Sequence, residues 1–327
     1  MGSNDPNLAA NPTLIQKGDP NRSPLFLIHA AGGGILDYFK LQDLGRPVYG
    51  IRNPWFDSET KWKGGIQTLV DEYVGVICAT VAPTMRGSRM REILVGGWSV
   101  GGQLALEVAR VINSDDNPSA ADRNKRRRPK IQVTGLVMID TLYPYWGPPD
   151  TVHAEMPVDI LVGSSAGGDS DTEAEARNKI LRMMDWMNKD SLAWGLQNSK
   201  SNLLLRPDKA DEDQQQPPPA VLLYATKYIP IASVSVSGNS STTNADDICS
   251  SRLEENSGRP PRVMTDFLRH DRTLGWDSLF ACGGGAGHGF IVANWQVDGH
   301  HFELFQKHLI KDTSDKVRKA CDLLAED

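Results

Sequence analysis

An α/β domain with a mostly parallel central sheet and helices on both faces is the fold class this sequence predicts, and three observations carry it. Short apolar runs alternate with amphipathic helical patterns through the first 140 residues, which is the alternation that crossovers between parallel strands require. The runs are apolar at consecutive positions, as strands covered on both faces are. One strand–helix junction, Gly97-Trp98-Ser99-Val100-Gly101, is flanked by small residues, as a very tight turn demands.

Residues 1–20 show neither period and read as an N-terminal tail, without the basic and apolar blocks of a secretory signal. The run 24–29 (PLFLIH) predicts a buried strand, followed by the glycine-rich 30–34 and a helical pattern over 35–44. A second strand is expected at 47–51 (PVYGI). Ile66, Leu69, Val70, Tyr73, Val74 and Ile77 then form one helical stripe. A strand at 92–96 (EILVG), a helix over 102–112 and a strand at 132–139 (QVTGLVMI) follow.

The regularity breaks after that. Residues 113–130 are polar, and their Lys125–Arg128 run reads as a solvated insertion. Residues 143–206 predict a helical lid, and 207–219 a proline-ended linker. Strands at 220–226 (AVLLYAT) and 290–296 (FIVANWQ) and a closing helix at 312–324 return to the core, which is expected to comprise 21–142 and 220–327. The stretch of about 233–262 is rich in Ser, Thr, Asn and Gly and reads as a mobile loop.

Composition narrows the function. A net charge of −6 argues against a nucleic-acid-binding surface. No apolar run approaches the roughly 18 residues of a membrane span. Cys78, Cys249, Cys282 and Cys321 lack metal-ligand or disulfide-framework spacing, so a reducing, cytoplasmic setting is expected.

The G-x-S-x-G pattern at 97–101 is the nucleophile elbow of the α/β-hydrolase fold. The pattern occurs again at Gly163-Ser164-Ser165-Ala166-Gly167, but polar GGDSDTEAEA follows it. After Ser99, by contrast, Ala105, Val108, Ala109 and Ile112 share one helical face suited to burial on a sheet. A serine nucleophile needs a base, and in this fold the chain order is serine, acid, histidine. His300 and His301 directly follow the last predicted strand. After the strand at 220–226 no carboxylate occurs until Asp246, whereas Asp140 ends the strand before it. A carboxylate there can hold the imidazole in the tautomer a base needs; Asp298 is the reserve. The loop 29–34 lacks the spacing of a phosphate loop and is expected to give one oxyanion N–H, with Val100 giving the other. Within 143–206, Ile180, Met183, Met184 and Met187 share a face. That stripe suits a core, and it equally suits a lid lining an acyl-binding cleft.

Together, HAAGGG (29–34), YGIRNP (49–54), GGWSVGG (96–102), VMID (137–140) and GHHFELF (299–305) resemble the thioesterase domains that end polyketide synthases and nonribosomal peptide synthetases. The fungal members are nearest, with a GWD element like Gly275-Trp276-Asp277 before the final histidine. The resemblance implies Ser99, Asp140 and His301 as the catalytic set, with His300 at the variable position of a G-x-H-F motif. It also implies Ala31 and Val100 as oxyanion donors, and Met183, Met184 and Met187 in a substrate-facing lid. The implied substrate is a small-molecule acyl group carried as a thioester on the phosphopantetheine of an acyl or peptidyl carrier protein. Release is by hydrolysis or cyclisation, with no metal or bound cofactor. Two features depart from the pattern: the insertions are long, and His-Ala-Ala stands where His-Pro is usual. Both bear on the substrate. A carboxylesterase or lipase acting on oxygen esters, and a non-catalytic hydrolase-like binding module, are the rival readings.

Overall fold

The structure, a computed structural model, describes residues 10–84, 90–114, 130–147, 217–231, 262–279 and 289–325, and between them 151, 153, 154, 156, 160 and 171–198. The repeat of the elbow pattern around Ser165, most of the solvated insertion expected at 113–130, most of the linker expected at 207–219 and most of the loop expected at 233–262 lie outside the described residues.

Among the described residues, seven strands form one sheet: β1 (Thr13–Gln16), β2 (Leu25–Ile28), β3 (Val48–Ile51), β4 (Met90–Trp98), β5 (Lys130–Ile139), β6 (Ala220–Ala225) and β7 (Ile291–Val297). Their spatial order is β1-β3-β2-β4-β5-β6-β7. All pairs are parallel except β1 with β3. Strand β1 sits inside the stretch expected to be a tail. TLIQ is too short to show a period, and as an edge strand it exposes Leu14 while burying Thr13.

The apolar runs become strands because both faces of the sheet are dry. Phe26, Ile28, Ile93, Val95, Leu136, Met138 and Leu222 point into one core. Their neighbours Leu25, Leu27, Leu94, Val137, Ile139, Val221 and Leu223 point into the other. This period of two splits consecutive apolar residues between two layers. Helix α1 (Gly65–Val81), helix α2 (Val100–Asn113) and helix α3 (Asp171–Gln197) contribute to the first layer, and α5 (Ile310–Ala325) covers the second. On α2, Ala105, Val108, Ala109 and Ile112 are at most 1% exposed. Each full-size side chain among them contributes roughly 1.5–3 kcal/mol of burial. This is an α/β-hydrolase fold.

The helix expected over 35–44 is instead a 3-10 turn, Leu36–Lys40, with no side-chain cap at Ile35. Of the segment 143–206, the described part is chiefly α3. A short helix α4 (Trp276–Leu279) precedes β7. No helix among the described residues is long and apolar enough to cross a membrane.

Candidate active site

Two residues leave the sheet in the same way. The last register pair of β4 and β5 is Trp98 with Ile139. One residue further on, the Ser99 N–H donates to the Ile139 carbonyl at 2.9 Å, and the Asp140 N–H donates to the Leu223 carbonyl of β6 at 2.6 Å. The ladder therefore holds the first residue past two adjacent strands. Both adopt positive φ, 59° at Ser99 and 44° at Asp140, a conformation that costs a non-glycine residue of order 1–3 kcal/mol. The elbow closes because Gly101 lacks a side chain: a Cβ there would lie 2.3 Å from the Ile28 carbonyl oxygen. Ser99 stands immediately before Val100, the first residue of α2, so it faces helix N–H groups that have no partner within the helix.

His301 lies in the turn after β7 and is 2% exposed. Its Nδ1 is 2.7 Å from Asp140 Oδ2, and its ring lies 5.1 Å from the Trp98 ring, centroid to centroid. The imidazole thus rests against the residue that precedes Ser99, at the same rim of the sheet. Trp98 is itself fixed: its N–H donates to the Tyr38 hydroxyl at 2.9 Å, and that hydroxyl donates to the Ile28 carbonyl at 2.6 Å.

Asp140 is fully buried. Burial alone would raise its carboxyl pKa, but the Arg269 guanidinium and His301 together hold it well below the usual carboxylate range. An ionised carboxylate only accepts, so Nδ1 carries the proton and the Nε2 lone pair is left for a base. Oδ1 of Asp140 accepts from Arg269 Nη1 at 2.5 Å and from the Ala225 N–H at 2.7 Å. Arg269 Nε also reaches Asp266 Oδ1 at 3.4 Å, and Asp266 Oδ2 accepts the Ile229 N–H at 2.6 Å. Behind the acid, the Trp276 indole N–H donates to the Thr141 carbonyl at 2.7 Å. That bond uses the GWD element to pin the chain just after Asp140.

The loop after β2 is equally constrained. His29 is fully buried, and burial drops its pKa to about 4 against the pull of the Ala30 carbonyl. The neutral ring donates from Nδ1 to the Ala30 oxygen at 2.6 Å, so Nε2 must accept from the Tyr73 hydroxyl at 2.5 Å. The Gly33 N–H binds the same Ala30 carbonyl at 2.9 Å. With that oxygen held on one side, the planar trans peptide turns the Ala31 N–H to the other.

Helix α3 closes over this loop. Met183 and Met187 are buried, and Met184 is half-buried. The Asn53 amide lies 3.3 Å from the Met183 sulfur and 3.9 Å from that of Met187. A Cβ on Gly33 (φ +81°) would sit 2.9 Å from Met183 Cγ. The two buried methionines are thus core packing against the loop, and Met184 is the partly open member of the stripe. The Ser191 hydroxyl donates to Gln103 Oε1 at 2.5 Å, tying α3 to α2.

The structure brings Asp140 and His301 into contact, with Trp98 against the imidazole. Asp298, the reserve acid, is exposed and pairs with Lys227 at 3.2 Å. His300 turns to Glu303, 3.6 Å away, instead of to a triad partner. Arg269 and Asp266 were not singled out from the sequence. Their only signal was an oppositely charged i, i+3 pair close before the GWD element, a pattern that ordinarily marks a surface turn.

No family model matches the chain. A thioesterase, frbD, of Dothideomycetidae sp. (strain 11243) is 31% identical over 95% of this chain and 93% of its own length. The nonribosomal peptide synthetase imqB of Aspergillus flavus is 27% identical over 96% of this chain, which spans 8% of that synthetase. Among solved structures, YbtT, the type II thioesterase of the yersiniabactin pathway, superposes with a TM-score of 0.52 at 14% identity, covering 97% of this chain and 100% of that one. That likeness is one of fold.

Proposed function

The chain belongs to the thioesterase family of its fungal relatives, and we propose that it cleaves an acyl or peptidyl thioester held on a carrier protein, through an ester on Ser99. The single observation that carries this reading is the 2.7 Å hydrogen bond from His301 to buried Asp140 beside the strained Ser99 elbow.

In the proposed reaction, Ser99 Oγ attacks the thioester carbonyl while His301 Nε2 takes its proton. Asp140 stabilises the imidazolium that forms. The tetrahedral oxyanion accepts from the Ala31 and Val100 N–H groups, each donor being worth roughly 3 kcal/mol in such sites. Collapse breaks the C–S bond, and the thiolate takes the proton back from His301. Water or a nucleophile within the acyl chain then repeats the sequence in reverse, releasing an acid or a ring. The phosphopantetheine arm arrives with the substrate, so this chain's own residues carry every step. Helix α3 is read as part of the cover that keeps water from the acyl ester.

The relationship to imqB favours a carrier-bound substrate, since this chain corresponds to a small part of a synthetase. The test is side-by-side turnover of an acyl-N-acetylcysteamine thioester and the matching p-nitrophenyl ester, with intact-mass detection of the acyl adduct. Thioester preference and an adduct lost in Ser99→Ala are expected. A strong preference for the oxygen ester, or an adduct that persists without Ser99, would overturn the reading.

A further inference from the structure

Behind the proposed acid lies a buried ion cluster that the reaction as drawn does not use. Arg269 and Asp266 have side chains 1% and 2% exposed, and Asp140 is fully buried. Arg269 spends its donors in four directions. Nη1 reaches Asp140 Oδ1 at 2.5 Å and the Ala225 carbonyl at 3.2 Å, Nη2 reaches the Thr265 carbonyl at 3.0 Å, and Nε faces Asp266 at 3.4 Å. A lone carboxylate paired this closely with a guanidinium would be neutralised, and would do little for an imidazolium on its other oxygen. The second carboxylate restores the balance: two anions and one cation leave one net negative charge.

We propose that Arg269 and Asp266 are positioning residues for His301. Arg269 aims the Asp140 carboxylate, and Asp266 returns to the cluster the negative charge that Arg269 cancels, so that the proton taken up by His301 brings the buried group to neutrality. This rests on the reading of His301 as the general base.

Among the described residues, the groups that face His301 from its surroundings are few. Asp140 comes from the end of β5, Asp266 and Arg269 from the turn before α4, and His300 and Glu303 from its own turn. Trp98 and Phe302 add ring contacts only, at 5.1 and 4.8 Å between centroids. Burial leaves the Asp266 carboxyl above its ordinary value, although the Ile229 N–H, Arg269 and His301 all pull it down. Glu303 is partly exposed and sits 3.6 Å from His300, so its field is screened by water.

The test is the acid limb of kcat/KM against pH for the thioester, which reports the free enzyme's base. Asp266→Asn keeps the side chain's shape and removes its charge. The imidazolium loses support, and the limb moves to lower pH by roughly one pH unit, the size expected of a near, buried charge. Arg269→Gln removes the cation, and the limb moves to higher pH. The double variant returns towards the wild-type limb. In each case kcat falls several-fold more than KM changes. A purely structural role predicts lowered activity in both variants with the limb unmoved, or moved in one common direction. Either result overturns the proposal. Where Arg269→Gln fails to fold, Asp266→Asn decides alone by the sign of its shift. Fluorophosphonate labelling separates the two levels: a wild-type protein that does not label at Ser99 refutes the underlying reading, and one that labels with unmoved limbs refutes only this inference.

Discussion

Asp140→Asn changes the chemistry of two atoms and almost nothing of their shape, and the surroundings decide how the new amide sits. Arg269 Nη1 and the Ala225 N–H both donate to Oδ1, at 2.5 and 2.7 Å. Two donors cannot face an NH₂ group, so the amide oxygen must take the Oδ1 place. The NH₂ is left against His301 Nδ1, where Oδ2 now lies at 2.7 Å. An amide donates there, so Nδ1 becomes the acceptor and the ring proton moves to Nε2. The imidazole then presents a proton to Ser99 where it should present a lone pair. A wrong tautomer of this kind costs about 10⁴-fold in kcat, roughly 5.5 kcal/mol of barrier. Stability should suffer less. Arg269 retains Asp266 and three oxygen acceptors, so the loss stays below the roughly 3–5 kcal/mol of a buried charge stripped of its partner. The assay is single-turnover thiol release from an acyl-N-acetylcysteamine thioester, with denaturant unfolding of the same preparation. A folded Asp140→Asn protein within tenfold of wild-type kcat refutes the reasoning and sends the search for the acid elsewhere.

Ser99→Ala is expected to abolish turnover and fluorophosphonate labelling, while Ser99→Gly, equally inactive, should unfold about 1 kcal/mol harder than the alanine variant because glycine tolerates the φ of 59°; equal denaturation midpoints would remove the strain. Tyr73→Phe leaves His29 Nε2 buried without a donor, while His29 Nδ1 and the Gly33 N–H still hold the Ala30 carbonyl, so it should cost about 1–3 kcal/mol of stability and lower kcat with KM held, because the ring behind the loop is no longer fixed at its far end; an unchanged kcat detaches this clamp from the oxyanion site. His29 makes stability pH-dependent. Its folded value of about 4 lies below the ordinary 6.5, so the unfolded chain takes up the proton first as pH falls. The contribution is complete above pH 6.5 and is lost towards pH 4, about 3 kcal/mol in all. Denaturant midpoints at pH 7, 5.5 and 4.5 check it, and a flat profile across that window contradicts it. Asp140 has the same sign at a lower pH, its contribution being lost only as pH falls below the ordinary carboxylate range.

How much could be read in advance depended on where each signal lies. Strands β2, β4, β5 and β6 were legible because burial on both faces writes an unbroken apolar run into the chain. The elbow was legible because close backbone approach admits only small residues, and Asp140 because it ends such a run. Strand β1 was not, since four residues pairing at an edge need only half their side chains apolar. The turn at Leu36–Lys40 reads as a longer helix in the sequence because Ile35, Tyr38 and Leu41 are spaced alike in both. Arg269 and Asp266 were invisible for a different reason. Nothing in TDFLRH says that its charges are dry; that follows only from a fold that seats them behind a carboxylate 129 residues away.

The strand ladders have a further meaning for how such a chain can be altered. Ser99 and Asp140 are spaced by interstrand hydrogen bonds, so the distance between them does not depend on the length of the segment that joins α2 to β5. That segment leaves from Asn113 and returns at Lys130, at the end of the sheet opposite both residues. Extra sequence, a reporter or a circular cut can enter there without a mechanical route to the chemistry. The chain that follows β6, by contrast, leaves the sheet at the same rim as the acid.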